Sequence, residues 1–299
     1  SPLLSCKICS YTPGCKQCDV SLTYHKWNKH LRCHYCGYSE DLPDACPSCS
    51  NKIFSDKGFG TEQIEESLIE LFPKNIIKRM DYDTTRGKGS YQNIITDFEE
   101  GRIDILVGTQ MISKGLDFDN VSLVGILNAD NMLHFPDFRS YERAFQLMTQ
   151  VAGRAGRKGK QGKVLIQTYD EDNQIFKMIK ENTFNKFIQI QAKERELFNY
   201  PPYNRLVRIT LKAKHQSKLD DSALQLSLLM RKSFGNRVLG PEYPAISRVR
   251  NYYHKNILLK IEQKRSILKA KEILRTIIKI IENQIEYKSV RFIIDVDPV

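Results

Sequence analysis

Eight cysteines stand in four Cys-x-x-Cys pairs within the first fifty residues: Cys6/Cys9, Cys15/Cys18, Cys33/Cys36 and Cys46/Cys49. They are all the cysteines of the 299-residue chain. Two residues between partners suit a knuckle that points two thiolates at one metal ion. Eight thiolates close two tetrahedral zinc sites with none left over. A disulfide framework fits less well, because nothing resembles a secretory apolar segment. A redox role has no need of four copies of the pair. Four knuckles allow three pairings. Only five residues separate Cys9 from Cys15, which leaves little chain to turn those knuckles onto one ion. The longer Cys18–Cys33 segment can form a hairpin that joins the second and third knuckles. The expectation is therefore nested sites: Cys6, Cys9, Cys46 and Cys49 in an outer one, Cys15, Cys18, Cys33 and Cys36 in an inner one. With four thiolates and no open position, both read as structural, and the metal should supply much of the folding free energy of so short a segment. His25, His30 and His34 lie nearby and are read as surface or DNA-facing residues in preference to spare ligands.

A second group is Gln150-Val-Ala-Gly153-Arg154-Ala-Gly156-Arg157. Glycines let the backbone bend close to a ligand, and arginines three apart can both aim at one phosphate cluster. In nucleoside triphosphatases such an arginine stabilises charge on the transferring γ-phosphoryl group, worth about 10³–10⁵ in rate. Arg154 and Arg157 are the candidate catalytic residues. The third group runs from Ile105-Leu-Val-Gly-Thr109 to Lys114-Gly115-Leu-Asp117-Phe118. A buried strand there delivers Thr109, whose hydroxyl and N–H can hold a nucleic-acid phosphate. Gly115 and Asp117 return toward a nucleotide cleft, where Gln150 and Gly153 join them. The plainer readings are a basic surface turn and an ordinary βα loop.

The elements that must carry these residues follow from periodicity. Gly58-Phe-Gly-Thr61 marks a boundary after the cysteines. Residues 61–72 read as a helix with Ile64, Leu68 and Leu71 on one face, closed by Pro73. Ile76–Met80 is a short strand, 89–99 a helix with Ile94, Ile95 and Phe98 inward, and Ile103–Val107 a buried strand. Val121–Leu127 is another strand, 139–152 a helix and Lys163–Thr168 a last strand. Strands alternating with helices imply an α/β parallel sheet with helices on both faces, whose ligands bind at the carboxyl ends of strands. Residues 171–200 read as a polar helical connector stopped by Pro201-Pro202. The rest gives strand 206–213, helix 217–234, strands near 245–250 and 256–262, helix 264–285 and strand 289–296. That β-α-β-β-α-β order fits a ferredoxin-like split βαβ sheet. The expected domains are thus 1–55 (zinc module), 56–170 (α/β lobe), 171–200 (connector) and 201–299 (basic C-terminal domain).

The net charge is +11, and its location says more than its size. Residues 201–299 hold 20 Lys/Arg against 9 Asp/Glu, while the first 200 residues balance. Such segregation points to a polyanion-binding surface at the C-terminal end. Within it, Arg248-Val-Arg250-Asn-Tyr252-Tyr253-His-Lys255 interleaves cations with aromatics. Aromatics can stack bases while cations follow phosphates, so Arg248, Arg250, Tyr252, Tyr253 and Lys255 are candidate DNA contacts with Thr109. An exposed hairpin with paired tyrosines would look the same. No apolar run reaches the roughly 18 residues of a membrane span.

The cysteine spacing, Gly60-Thr-Glu62, Asp81-Tyr-Asp-Thr-Thr85, Gly108–Phe118, Pro136-Asp-Phe-Arg139, Gln146–Arg157, Tyr200-Pro-Pro-Tyr203 and Val290–Pro298 together resemble the C-terminal half of the primosomal replication-restart helicases, within superfamily 2. The resemblance covers essentially the whole chain. It implies a RecA-like second lobe carrying motifs V and VI, a zinc insertion with the nested pairing argued above, and a C-terminal domain that helps bind branched DNA. It further implies an ATP-dependent 3′–5′ helicase that recognises stalled forks and restarts replication by primosome assembly. Zn²⁺, ATP and Mg²⁺ would be its cofactors. Its partners would be branched and single-stranded DNA, single-stranded DNA-binding protein and other primosome proteins. The setting would be a bacterial cytoplasm near the nucleoid, the form monomeric, with no membrane. The sequence contains no Gly-x-x-x-x-Gly-Lys-[Ser/Thr] loop and no Asp-Glu-x-His box. These residues alone are therefore expected to be inactive as an ATPase. The competing expectation is a non-enzymatic zinc-containing DNA or protein adaptor.

Overall fold

The structure, a computed structural model, describes residues 3–25, 30–57, 60–85, 87, 89–113, 121–153 and 162–298. The chain divides into two compact units, one of residues 59–193 and one made of 2–58 with 194–299.

The second unit opens with the zinc module. Its strands are β1 (Leu3–Cys6), β2 (Thr23–His25), β3 (His30–Arg32), β4 (Ser39–Asp41) and β5 (Phe54–Lys57), in the sheet order β4-β3-β2-β1-β5. Its core is small: Leu4, Leu22 and Leu31 packed with Cys15, Cys18 and Cys33. So few apolar side chains leave the metal sites as the main source of stability.

The first unit is α/β. It runs α1 (Thr61–Leu71), β6 (Ile77–Met80), α2 (Ser90–Glu99), β7 (Ile105–Gly108), β8 (Leu123–Ile126), α3 (Asp130–Leu133), α4 (Ser140–Ala152), β9 (Lys163–Ile166), α5 (Gln174–Lys180) and α6 (Phe184–Leu197), whose last turn passes into the second unit. Three differences from the sequence expectations stand out. Among the described residues the strands form two parallel pairs, β6–β7 and β8–β9, and not one continuous sheet. Leu71 is 71% exposed: α1 packs chiefly on β6 and β7, and none of its residues is fully buried. The segment read as a polar connector also contributes core. Ile175, Met178 and Phe187 pack with Ala144, Phe145 and Met148 of α4, and the Phe145 and Phe187 rings stack 4.2 Å apart.

The second unit closes with β10 (Asn204–Ala213), α7 (Gln216–Phe234), β11 (Val238–Glu242), β12 (Arg248–Val249), β13 (Tyr252–Glu262), α8 (Ile267–Glu282) and β14 (Arg291–Val296). The main sheet has the antiparallel order β11-β13-β10-β14, the split βαβ arrangement expected from the sequence. Its core is set by period-two alternation. Val207, Ile209, Leu211 and Ala213 of β10 and Ile257, Leu259 and Ile261 of β13 meet Leu219, Leu226 and Met230 of α7 and Leu274, Ile277 and Ile281 of α8. The other β10 residues, including Arg208, Thr210 and Lys212, lie on the face away from the helices.

Candidate zinc centres and helicase-lobe site

Each cysteine pair sits on a tight knuckle. The N–H of Cys6 donates to Tyr11 O and that of Ser10 to Cys6 O. The Cys33 and Cys46 knuckles repeat the pattern, with Gly37 donating to Cys33 O and Ser50 to Cys46 O. Ser10, Gly37 and Ser50 all have positive φ, the left-handed bend that turns each pair inward. The knuckles meet as the spacing predicted. Cys6, Cys9, Cys46 and Cys49 form one group and Cys15, Cys18, Cys33 and Cys36 the other, with the sulfurs of each group within 4.8 Å of one another. Cross-knuckle Sγ–Sγ distances are 3.6 Å for Cys6–Cys49, 3.6 Å for Cys9–Cys46 and 3.5 Å for Cys15–Cys36. A tetrahedral zinc with bonds of about 2.3 Å places its thiolates about 3.8 Å apart, so both groups fit the ion. Neither group includes a histidine; His25 stacks on His30 at 5.3 Å and lies 5.3 Å from His34.

The two sites differ in surroundings. Cys9 and Cys49 of the outer site are exposed, whereas three of the inner four are buried and Cys36 is half-buried. The Cys9 backbone N–H pulls the Cys6 thiol down to about 6. Burial pushes the Cys15 thiol up to about 12. Gln17 N–H donates to Cys15 Sγ at 3.4 Å and Tyr38 N–H to Cys36 Sγ at 3.3 Å, bonds that offset charge on a metal-bound thiolate.

In the α/β unit, β7 delivers Gly108 and then Thr109, which is exposed at the strand's carboxyl end. Glycine is required at 108. A Cβ there would lie 2.5 Å from Met80 O and closer still to Ile112 Cδ1. The register pairs Met80 with Gly108, so the turn after β6 lies beside Thr109 at one end of the parallel pair. That turn is built on Asp81, the first residue of the Asp81-Tyr-Asp-Thr-Thr85 segment. Its buried carboxylate accepts from Thr61 Oγ1 at 2.7 Å and from the N–H groups of Asp83 and Thr84 at 3.0 Å each. Arg79 stands 3.1 Å away and also faces Glu65 at 3.3 Å. Burial works against the Asp81 charge, but the Thr61 and Thr84 bonds and Arg79 outweigh it and hold the carboxyl below its usual range. The Asp-x-x-Thr spacing was the available signal, since a short acid before Thr is an Asx-turn pattern. Gln150 and Gly153 are exposed at the C-terminal end of α4. Gly115, Asp117, Arg154 and Arg157 lie outside the described residues.

The C-terminal candidates part company. β13 begins at Tyr252, so strand alternation divides the set between two faces. Tyr253 packs on the helix-side core and Lys255 pairs with Asp220 of α7. Tyr252 lies on the other face, with Lys212 Nζ 4.5 Å, Lys214 Nζ 5.8 Å and Arg291 5.8 Å from its ring centre. Arg248 and Arg250 turn into the zinc module. Arg248 Nε meets Asp19 Oδ1 at 2.9 Å, and Arg250 Nε donates to Tyr35 O at 3.3 Å.

Three family profiles match in order along the chain: the PriA DNA helicase Cys-rich region domain over 15–40, the helicase conserved C-terminal domain over 55–159, and the primosomal protein N C-terminal domain over 196–299. The chain belongs to the PriA family. It is 39% identical over 300 residues to the replication restart protein PriA of Bacillus subtilis, covering all of this chain and 37% of that protein. To the PriA of Synechocystis it is 37% identical, covering all of this chain and 36% of the relative. To that of Haemophilus influenzae it is 34% identical, covering all of this chain and 40% of the relative. The chain thus spans well under half the length of these curated relatives. None of the helices among the described residues is long and apolar enough to cross a membrane.

Proposed function

We propose that the chain is the second motor lobe, zinc module and C-terminal domain of an ATP-dependent replication-restart helicase that moves 3′–5′ on forked DNA and assembles a primosome. The observation that carries this reading is the ordered match of a PriA-type cysteine region, a helicase lobe and a primosomal C-terminal domain along one chain. Within the lobe, Thr109 and the Asp81 turn occupy the carboxyl end of β6–β7, where α/β folds bind their ligands. Thr109 is assigned to a phosphate of the translocating strand. Arg154 and Arg157 are assigned to the γ-phosphoryl group, with Gly115, Asp117, Gln150 and Gly153 on the nucleotide side and Mg²⁺ held by residues outside this sequence. Residues 1–299 alone are expected to turn over no ATP, since phosphoryl transfer needs both walls of the cleft. Single-stranded DNA-binding protein and primosome proteins are the proposed partners, at forks in a bacterial cytoplasm, with the protein acting as a monomer.

Among the candidate DNA contacts, the best supported surface is Tyr252 with Lys212, Lys214 and Arg291, three cations about one aromatic ring. Arg248, Arg250, Tyr253 and Lys255 would act mainly by shaping the hairpin beside it. A non-enzymatic adaptor is the second reading, favoured by the zinc module and C-terminal domain forming one compact unit without the lobe. Strand displacement by the protein completed with its first lobe separates the two. The helicase reading expects unwinding of forks with a 3′-ended loading strand, and weaker fork binding with a shallower salt slope in Lys212→Ala/Arg291→Ala. An adaptor would bind forks and displace no strand.

A further inference from the structure

We infer that the inner zinc site is a two-domain site: the zinc module supplies its thiolates and the β12–β13 hairpin of the C-terminal domain supplies part of its outer shell, so that zinc in this site latches the two together. Three of the four knuckles close on themselves through the N–H that follows the second cysteine, those of Ser10, Gly37 and Ser50. The matching N–H in the Cys15 knuckle, that of Asp19, donates to the carbonyl of Arg248 at 2.9 Å. Two further N–H groups come from the hairpin turn. Arg250 donates to Cys18 Sγ at 3.3 Å, across 232 residues of sequence, and Asn251 donates to Gln17 O at 2.8 Å. Both turn residues are left-handed, with φ of 52° and 61°. A two-residue turn with positive φ at both positions needs side chains that tolerate it, and arginine does so at a cost. The conformation sets two successive N–H groups side by side, facing the knuckle. Side chains complete the seam. Asp19 accepts from Ser247 Oγ at 2.6 Å and from Arg248, and half-buried Val249 packs against the module's apolar core.

The electrostatics agree with the geometry. Four thiolates against one divalent ion leave a loaded site net negative, and amide N–H groups beside a metal-bound sulfur stabilise it. Arg250 adds a cation at the same place. The outer site takes its N–H donors from its own module, the Cys9 backbone and the Asn51 amide acting on Cys6, and its Cys9 and Cys49 are exposed. Ion binding and hairpin docking should therefore promote each other at the inner site only, as any two coupled events must.

The test is zinc release from the full chain to an excess of a colorimetric chelator, with the two phases assigned by Cys49→Ser and Cys36→Ser. Asp19→Ala/Val249→Ala should release the inner zinc at least fivefold faster and leave the outer phase unchanged. Amide exchange gives the reciprocal view. Arg250 and Asn251 should lose protection in Cys36→Ser and keep it in Cys49→Ser, with Ile257 and Leu259 protected in both. Equal acceleration of both phases, unchanged release, or a hairpin still protected in Cys36→Ser would overturn the inference.

Discussion

Asp81 shows how one side chain can organise a loop. Its carboxylate gathers a hydroxyl, two backbone N–H groups and a guanidinium, so Asp81→Ala strands several donors at once. A hydrogen bond to a charged group is worth about 1.5–3 kcal/mol, so the loss of several should destabilise the β6–β7 region by at least the value of one, read by amide exchange. The pH dependence has a definite sign. The folded carboxyl titrates below its unfolded value, so its stabilisation is complete above the ordinary carboxylate range and disappears as pH falls through the depressed value. The gap between wild type and Asp81→Asn should therefore be largest near neutrality and close in acid. A gap independent of pH would show that the charge is not what matters. Gly108 works by omission, since the carbonyl of Met80 occupies the space of a side chain.

At the scale of elements, the sequence was legible wherever local chemistry decided the outcome. The cysteine spacings pointed to the nested pairing, because five residues between Cys9 and Cys15 leave little chain to join those knuckles while the longer Cys18–Cys33 segment can form a hairpin. Apolar stripes in α7 and α8 marked their buried faces, and the run Ile105–Val107 marked β7. What escaped was whatever depended on distant partners. Nothing near Arg248 or Arg250 announces that they face Asp19 and Tyr35, more than two hundred residues away. Likewise Tyr252 and Tyr253 are neighbours in sequence but lie on opposite faces of a strand. The polar look of 171–200 hid Ile175, Met178 and Phe187, which reach the α4 core one at a time. The dependence of the module on metal is also an element-scale matter. Chelation should abolish exchange protection throughout 3–57 while the β10–β13 pairing persists, because that sheet has an extensive core of its own. A zinc-free module that keeps its protected amides would contradict this.

Across the whole molecule, a metal-held module and a basic split βαβ domain make one unit, and a parallel α/β lobe makes the other. The lobe is the part whose chemistry defines the proposed activity, and its arginines are the residues on which that proposal turns. The decisive measurement is fork-stimulated ATP hydrolysis by the protein completed with its first lobe, comparing wild type with Arg157→Ala. The account predicts a fall in kcat of about 10³-fold or more, the scale of an arginine that stabilises γ-phosphoryl charge, with fork affinity and zinc content retained. Turnover at the wild-type rate by Arg157→Ala, or hydrolysis by residues 1–299 unaided, would contradict it.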